Sequence, residues 1–387
     1  MNDGSLYVFI SLYPILFPLT SQYVYIGALG GLLSLFSVAL SPFLGRFADR
    51  RRNYGTLLFL GLCLLGIGII GYGIFSRLAS GESLFIFLIP FSIIAGLGSA
   101  FYHPLGGTVL HSTWDSRSIG RAMGINGSSG SVGRAVYPLI VAALVIYLTT
   151  LSVIALAFLA FGAAFVVLNI LKNVNLFGAA KTEDKVNQKN TQIPIKKILP
   201  LILPLTIVSF LKGVFSIGIV NFILVFLKHN SGLDYGLSLI VFALILTMPI
   251  AGQIVFGFIA DKHGRRLALG ITTTGSGAAI LIVLTTSNLY IQVACFAIFG
   301  FFALTGFPLL LPLASSAVPK EATTFSNSIV WGIGNVGGGA LGPTLIGILA
   351  QFIFHESLGD AFFVVTIISL SSLTVLPFVA TKPKILS

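Results

Sequence analysis

Charge is scarce in this chain. Asp, Glu, Lys and Arg make up 9% of its 387 residues, against about 25% in ordinary globular proteins. Apolar residues reach 56%, and the mean hydropathy is +1.01. A water-soluble fold needs more charge than this to cover so much hydrocarbon, which excludes a set of soluble domains. Alternation of apolar and polar residues over ten-residue stretches is lacking as well, which excludes a transmembrane β-barrel. The remaining way to satisfy every backbone group in lipid is the α-helix. Cysteine is reduced to Cys63 and Cys295, each inside an apolar run. They offer no disulfide framework and no metal spacing, and read as small buried hydrophobes. No basic stretch precedes the first apolar run, so no cleavable leader is expected. Nucleophile elbow, zinc-ligand cluster and P-loop are missing too, so no cofactor or metal is expected and ATP-driven transport is excluded. His111 and Asp115 stand one residue short of the acyltransferase spacing, which leaves a membrane-bound enzyme as a remote alternative.

What the chain does have is long apolar segments, near 4–20, 24–47, 55–76, 84–110, 121–148, 151–171, 198–227, 235–260, 266–287, 290–318, 323–351 and 360–380. Each is close to the roughly 20 residues a spanning helix needs. The expected fold is therefore all-α and integral to the membrane, with twelve transmembrane helices. Connectors are short except for 172–197, which is polar and carries Lys181, Glu183, Asp184, Lys185 and Lys189. It reads as a cytoplasmic linker between an N-terminal six-helix bundle, 1–171, and a C-terminal one, 198–387. The net charge of +11 has a topological meaning: with both termini on one side, eighteen of the 22 Lys and Arg fall there, and only Arg77 and Lys228 opposite. Positive charge stays inside, so both termini and the linker are expected in the cytoplasm of a cell whose cytoplasmic membrane holds the chain. The basic excess is topogenic, and nucleic acid is not an expected partner.

The two halves repeat. Gly45 and Asp49-Arg50 after span 2 match Gly257 and Asp261-Lys262 after span 8, an offset of 212. His103-Pro104 matches Leu311-Pro312 at offset 208, and Gly127, Gly133 and Pro138 match Gly332, Gly338 and Pro343 at offset 205. Gly342 precedes Pro343 in the second copy. Six spans per half keep both halves in the same direction, the pattern of two parallel bundles that rock about a solute path.

The run Gly257-Phe258-Ile259-Ala260-Asp261-Lys262-His263-Gly264-Arg265-Arg266 fits G-x-x-x-D-[RK]-x-G-[RK]-[RK] at every position. It resembles the signature loop of the major facilitator superfamily, and with twelve spans and a repeat the resemblance covers essentially the whole chain. The first-half copy keeps Gly45, Asp49 and Arg50 but has Arg52 where the second glycine belongs. Gly45 and Gly257 remove side chains where helices approach, and Asp49 and Asp261 can face the positive end of a neighbouring helix. The resemblance implies spans 11 and 5 as those neighbours, hence a latch on the cytoplasmic side. Arg51 and Arg52 read as topogenic charges.

Charge at hydrocarbon depth is costly, so a charged group there faces water or a partner. Arg134 shares one helical face with Gly127, Ser131 and Pro138. Lys212 lies midway along span 7, flanked at helical spacing by Ser209 and Ser216. Both cations, with Ser131, Ser209 and Ser216, are candidates for lining a hydrated crevice. His103, between Tyr102 and Pro104, can carry a coupling proton near neutral pH, and Pro104 frees backbone carbonyls that need water or neighbours. Asp3 aligns with Lys212 at offset 209, which puts it at mid-membrane, placed to pair with Arg134 or to bind protons. Asp3 to Leu19 reaches only about 25 Å at 1.5 Å per residue, short of the roughly 30 Å core. An internal start with roughly ten residues absent is the expectation.

Asp3, His103-Pro104 and Lys212 also resemble, more loosely, the fosmidomycin-resistance branch of superfamily efflux proteins. That resemblance implies proton-coupled export of a small organic solute by a monomer. Two departures stand against it: Tyr137, not glycine, precedes Pro138, and Ser92 occupies the usual antiporter arginine position. The rival is proton-coupled uptake of a small organic anion or sugar, drawn by Arg134 and Lys212 if their carboxylate partner is missing. A sensor without transport is a remote third class, since no soluble domain accompanies the spans.

Overall fold

Apolar runs without alternation close into helices because the backbone then meets its own hydrogen bonds within each segment. A computed structural model describes residues 2–51, 53–102, 105, 106, 109, 119–172, 195–305, 307–319 and 322–381. The first half contains α1 (Asn2–Leu16), α2 (Tyr23–Arg51), α3 (Tyr54–Leu78), α4 (Gly81–Ser99), α5 (Ile119–Tyr147) and α6 (Ile154–Lys172). The second contains α7 (Ile195–His229), α8 (Tyr235–His263), α9 (Arg265–Thr285), α10 (Leu289–Ala303), α11 (Phe307–Ser316), α12 (Thr323–Ser328), α13 (Gly337–Ile348) and α14 (Leu358–Val375). Among the described residues ten helices are long and apolar enough to cross a membrane. The 15-residue helices α1 and α10 supply the other two of the expected twelve segments.

Two expected spans are not single α-helices. The tenth breaks after Ala303 and restarts as α11, with Pro308 in its first turn, where a missing N–H costs nothing. The eleventh is α-helical at Thr323–Ser328 and Gly337–Ile348 but π-helical at Ile329–Val336 and Leu349–Ile353. The fourth is described as helix only through Ser99, and most of 103–118 falls outside the described residues.

Small residues decide which helices meet. A Cβ on Gly338 or Gly342 would collide with backbone atoms of Phe210 and Val214, so α13 lies directly on α7. A Cβ on Gly27 would strike the Pro343 carbonyl, and one on Gly31 the Thr344 hydroxyl, so α2 crosses α13 as closely. That second crossing joins the two halves. It lies at the end of the molecule bearing Thr149, Asp234 and Glu356, here called the far end; the end bearing Asn53 and Gly264 is the signature end.

At the far end polar groups of the two halves also meet. Lys228 Nζ donates to the Pro14 carbonyl at 2.7 Å, Tyr235 Oη to the Ser11 carbonyl at 2.9 Å, and the Val24 amide to Gln351 Oε1 at 2.9 Å. Tyr23 Oη pairs with His229 Nδ1 at 3.2 Å, and Thr20 with Glu356. The largest buried cluster draws on both halves, among them Tyr23, Ile26, Phe222 and Ile346. At the signature end the buried clusters separate. Leu44, Tyr54, Leu57 and Phe101 form one within the first half, while Ile198, Leu269, Leu313 and Val330, and separately Phe256 and Leu309, form others within the second. Among the described residues the halves are therefore bound together at the far end, while each buried cluster at the signature end stays within one half.

Candidate functional site

Three glycines bring the ion pair together. Gly4 of α1 faces Gly133 and the Tyr137 ring of α5, where an added Cβ would come within 2.6 Å of that ring. Gly130 faces the Asp3 carboxylate, and its own Cβ would stand 2.8 Å from Oδ2. With α1 this close, Arg134 Nη1 donates to Asp3 Oδ2 at 3.3 Å. The side chains are 22% and 16% exposed, so the pair is shielded without being sealed. Arg134 Nη2 donates to Ser131 Oγ at 2.7 Å, and Asn2 Nδ2 to Asp3 Oδ1 at 3.3 Å. A guanidinium in the middle of a membrane-spanning helix thus has both a counter-ion and a hydroxyl.

Polar groups continue outward from the pair. Tyr102, just past α4, donates to Asn126 Oδ1 of α5 at 2.7 Å. Tyr7 of α1 and Tyr102 lie within electrostatic reach of both Asp3 and Arg134. Tyr7 also meets Phe242 of α8, ring centroids 6.0 Å apart, so the site abuts the contact between halves. Asn126 and Tyr7 were not singled out by sequence reasoning. Asn126 could have been, since it stands eight residues before Arg134, close to the same helical face.

Lys212 is placed differently from its expected position. It is 2% exposed, and its Nζ donates to Thr272 Oγ1 of α9 at 3.1 Å. The Ser209-Lys212-Ser216 stripe looks into the second half, toward α9 and the π-helical stretch at Ile329–Val336. Ser209 Oγ donates to the Val330 carbonyl and Ser216 Oγ to the Lys212 carbonyl, at 3.1 and 2.8 Å. Ser131 is fully buried as well, donating to the Gly127 carbonyl while it accepts from Arg134. The expectation that Ser131, Ser209 and Ser216 line an opening is corrected for this conformation: each is buried and donates to a carbonyl of its own or a touching helix.

Lys212 spans α7 at its midpoint with one neutral acceptor. Lys212→Met is therefore expected to raise the melting temperature of the purified protein, toward the roughly 2.5–3.5 kcal/mol that a central lysine costs. The same variant should lose flux. A melting temperature that falls, with flux intact, would make this lysine a structural donor instead.

Among the described residues Gly257 meets nothing within 4 Å, and Asp261 is exposed. Gly264 has φ +96°, a backbone geometry open to glycine, and it ends α8 and starts α9 in one residue. Arg266 donates to the Val379 carbonyl beyond α14. Of the packing glycines, Gly133, Gly338 and Gly342 sit at helix contacts, and Pro343 is the point that Gly27 receives; Gly127 meets nothing within 4 Å, so the packing role expected for it is not seen. Gly45, Asp49 and Arg50 lie within α2, but their side chains are outside the described residues, as are His103 and Pro104.

Comparison with known proteins fits this geometry. The family model of the Major Facilitator Superfamily matches residues 1–248 and 202–385. A Bacillus subtilis (strain 168) protein named "Uncharacterized MFS-type transporter YfnC" is 24% identical over 354 residues, 89% of this chain and 84% of that one. The fosmidomycin resistance protein of Escherichia coli (strain K12) is 24% identical over 358 residues, 91% of this chain and 84% of its own. Among solved structures, a bacterial homolog of the human lysosomal transporter Spinster, inward-facing and unoccupied, superposes with a TM-score of 0.73 at 15% identity, covering 98% of this chain and 91% of that one. The xylose transporter XylE from E. coli, inward open, gives 0.71 at 13% identity, covering 98% and 94%. At such identities these two likenesses concern the fold.

Proposed function

The chain belongs to the Major Facilitator Superfamily, and we propose that, as a transporter of that family, it exports a small organic solute across the cytoplasmic membrane in exchange for protons. The observation that carries this reading is the Asp3–Arg134 pair, 3.3 Å apart and partly exposed in the middle of α5. A proton added to the Asp3 carboxylate forms an O–H bond and removes the counter-charge. Arg134 keeps its protons and its Ser131 contact, but its second donor edge is released to a solute or to a new helix position. Loss of the proton restores the pair. One group thus exchanges a proton for a change in what the guanidinium holds, which is the requirement for coupling. Lys212, and His103 beside Tyr102, are assigned to the same pathway as positions reached in another conformation.

Two observations favour export over uptake. Arg134 already has a carboxylate, so an organic anion arriving at this site meets a cation that is already compensated. One relative is named for resistance to a drug. The positive-inside count assigns the signature end, with both termini and the 172–197 linker, to the cytoplasm, so in this reading the contacts at the far end close the outward side. The division into bundles 1–171 and 198–387 and a monomeric working unit belong to the same proposal.

The test is flux in oriented vesicles across a panel of phosphonates, sugars and lipophilic drugs. In inverted vesicles with an acid lumen, a solute is expected to accumulate while the lumen turns alkaline. Accumulation in right-side-out vesicles driven by external acid would replace export with symport.

A further inference from the structure

Apart from the ion pair, the second half carries a groove of about 730 Å³ along the outer flank of α9. Gly270 and Gly275 hollow its floor, Phe302, Leu373 and Leu376 wall it, and Arg266 stands at one end. Leu267 and Ile271, on its outer lip, are exposed on a surface that faces hydrocarbon once the helix is in a membrane. From Arg266 to Gly275 the groove runs about 13 Å at 1.5 Å per residue, close to the half-thickness of a roughly 30 Å hydrocarbon core.

The Arg266 end has unmet demands of one sign. Arg266 gives Nη2 to the Val379 carbonyl, while its buried Nε finds no acceptor among the described residues. It stands with Arg265 in the first turn of α9, where the helix dipole is positive and a cation is disfavoured. The cap residue is Gly264, which supplies no side-chain acceptor to that turn. An arginine lining the head of an apolar channel, a second in the same helical turn, and uncapped amides call for an anion attached to a hydrocarbon tail.

We propose that this groove binds an anionic glycerophospholipid of the leaflet on the signature side, its phosphate at Arg266 and the start of α9, one acyl chain lying along Gly270 and Gly275. The site is on the lipid-facing flank of α9, separate from Asp3 and Arg134, and it does not depend on the direction of transport. Its occupant ties the start of α9 to the end of α14, the two elements that Arg266 already bridges.

The test uses the full chain, stripped of lipid in detergent and titrated with phosphatidylglycerol, phosphatidylethanolamine or inorganic phosphate, with native mass spectrometry and thermal unfolding as readouts. Phosphatidylglycerol is expected to bind about tenfold more tightly than phosphatidylethanolamine, whose ammonium brings a positive charge beside Arg265 and Arg266 and opposes the phosphate contact, and inorganic phosphate is expected not to stabilise. Arg266→Gln should erase the preference between the two lipids. Because that variant also frees the Val379 carbonyl, Thr274→Trp serves as a second probe: it fills the groove from an exposed position, leaves Arg266 in place, and should weaken binding of both lipids. Equal affinity for the two lipids, stabilisation by phosphate alone, or unaltered binding in Thr274→Trp would each overturn the proposal.

Discussion

Arg134→Ala is expected to abolish proton-driven flux while the protein still reaches the membrane at near-normal levels. The substitution removes the donor to Asp3 and to Ser131 together. Asp3 then has no guanidinium to hold or release, so gain or loss of its proton no longer changes what a cation contacts. The pair is partly exposed, so water can take up part of the contact that Asp3 loses. Asp3→Asn approaches the same point from the other side. It should permit downhill movement of solute and remove accumulation against a gradient, because an amide imitates the protonated acid and cannot lose that proton. Vesicle flux with and without a pH gradient separates the two variants. A double-mutant cycle on flux should be strongly non-additive, since both residues act through one contact. Wild-type accumulation by Asp3→Asn would show that the carboxylate only holds α1 against α5.

The sequence carried the membrane architecture far better than it carried the direction of side chains. Span number follows from hydrocarbon thickness, a summed property that survives local irregularity. The breaks at Ala303 and the π-helical stretch at Ile329–Val336 leave hydropathy unchanged, so an apolar window passes over them. Arg134 and Lys212 were legible as costly positions for the same reason. Where they look was not, because a helical wheel gives angles within one helix and nothing of which neighbour occupies each angle. For α5 the small-residue face met α1 and yielded the pair with Asp3. For α7 an equally plausible stripe turned toward α9, and Lys212 went to Thr272. The far-end contacts were hidden too, since Tyr23, Pro14 and Gln351 have no local pattern and gain meaning only once α2 lies on α13.

Gly27→Leu carries the second large effect, and it bears on conformation where Arg134 bears on chemistry. At Gly27 the backbones of α2 and α13 are in contact, and a side chain there must displace the Pro343 carbonyl or push the helices apart. In the proposed cycle the far end opens and this contact parts, so the added bulk is expected to cost the closed state alone. Overpacking of this kind costs about 1–3 kcal/mol, and a differential cost of that size moves a two-state population roughly 5- to 150-fold. Spin labels at the far-end loops, one near Ser231 and one near Ser80, should report longer distances, and cysteines placed at the same loops should react faster. Flux should fall, because a transporter held open on one side cannot complete a cycle. Gly162→Ala is the matched control: Gly162 lies inside α6 and meets nothing within 4 Å, so the exchange should leave distances and flux as they are. If Gly27→Leu lowers thermal stability without lengthening the far-end distances, the seam is merely part of the core, and the two halves do not part along it.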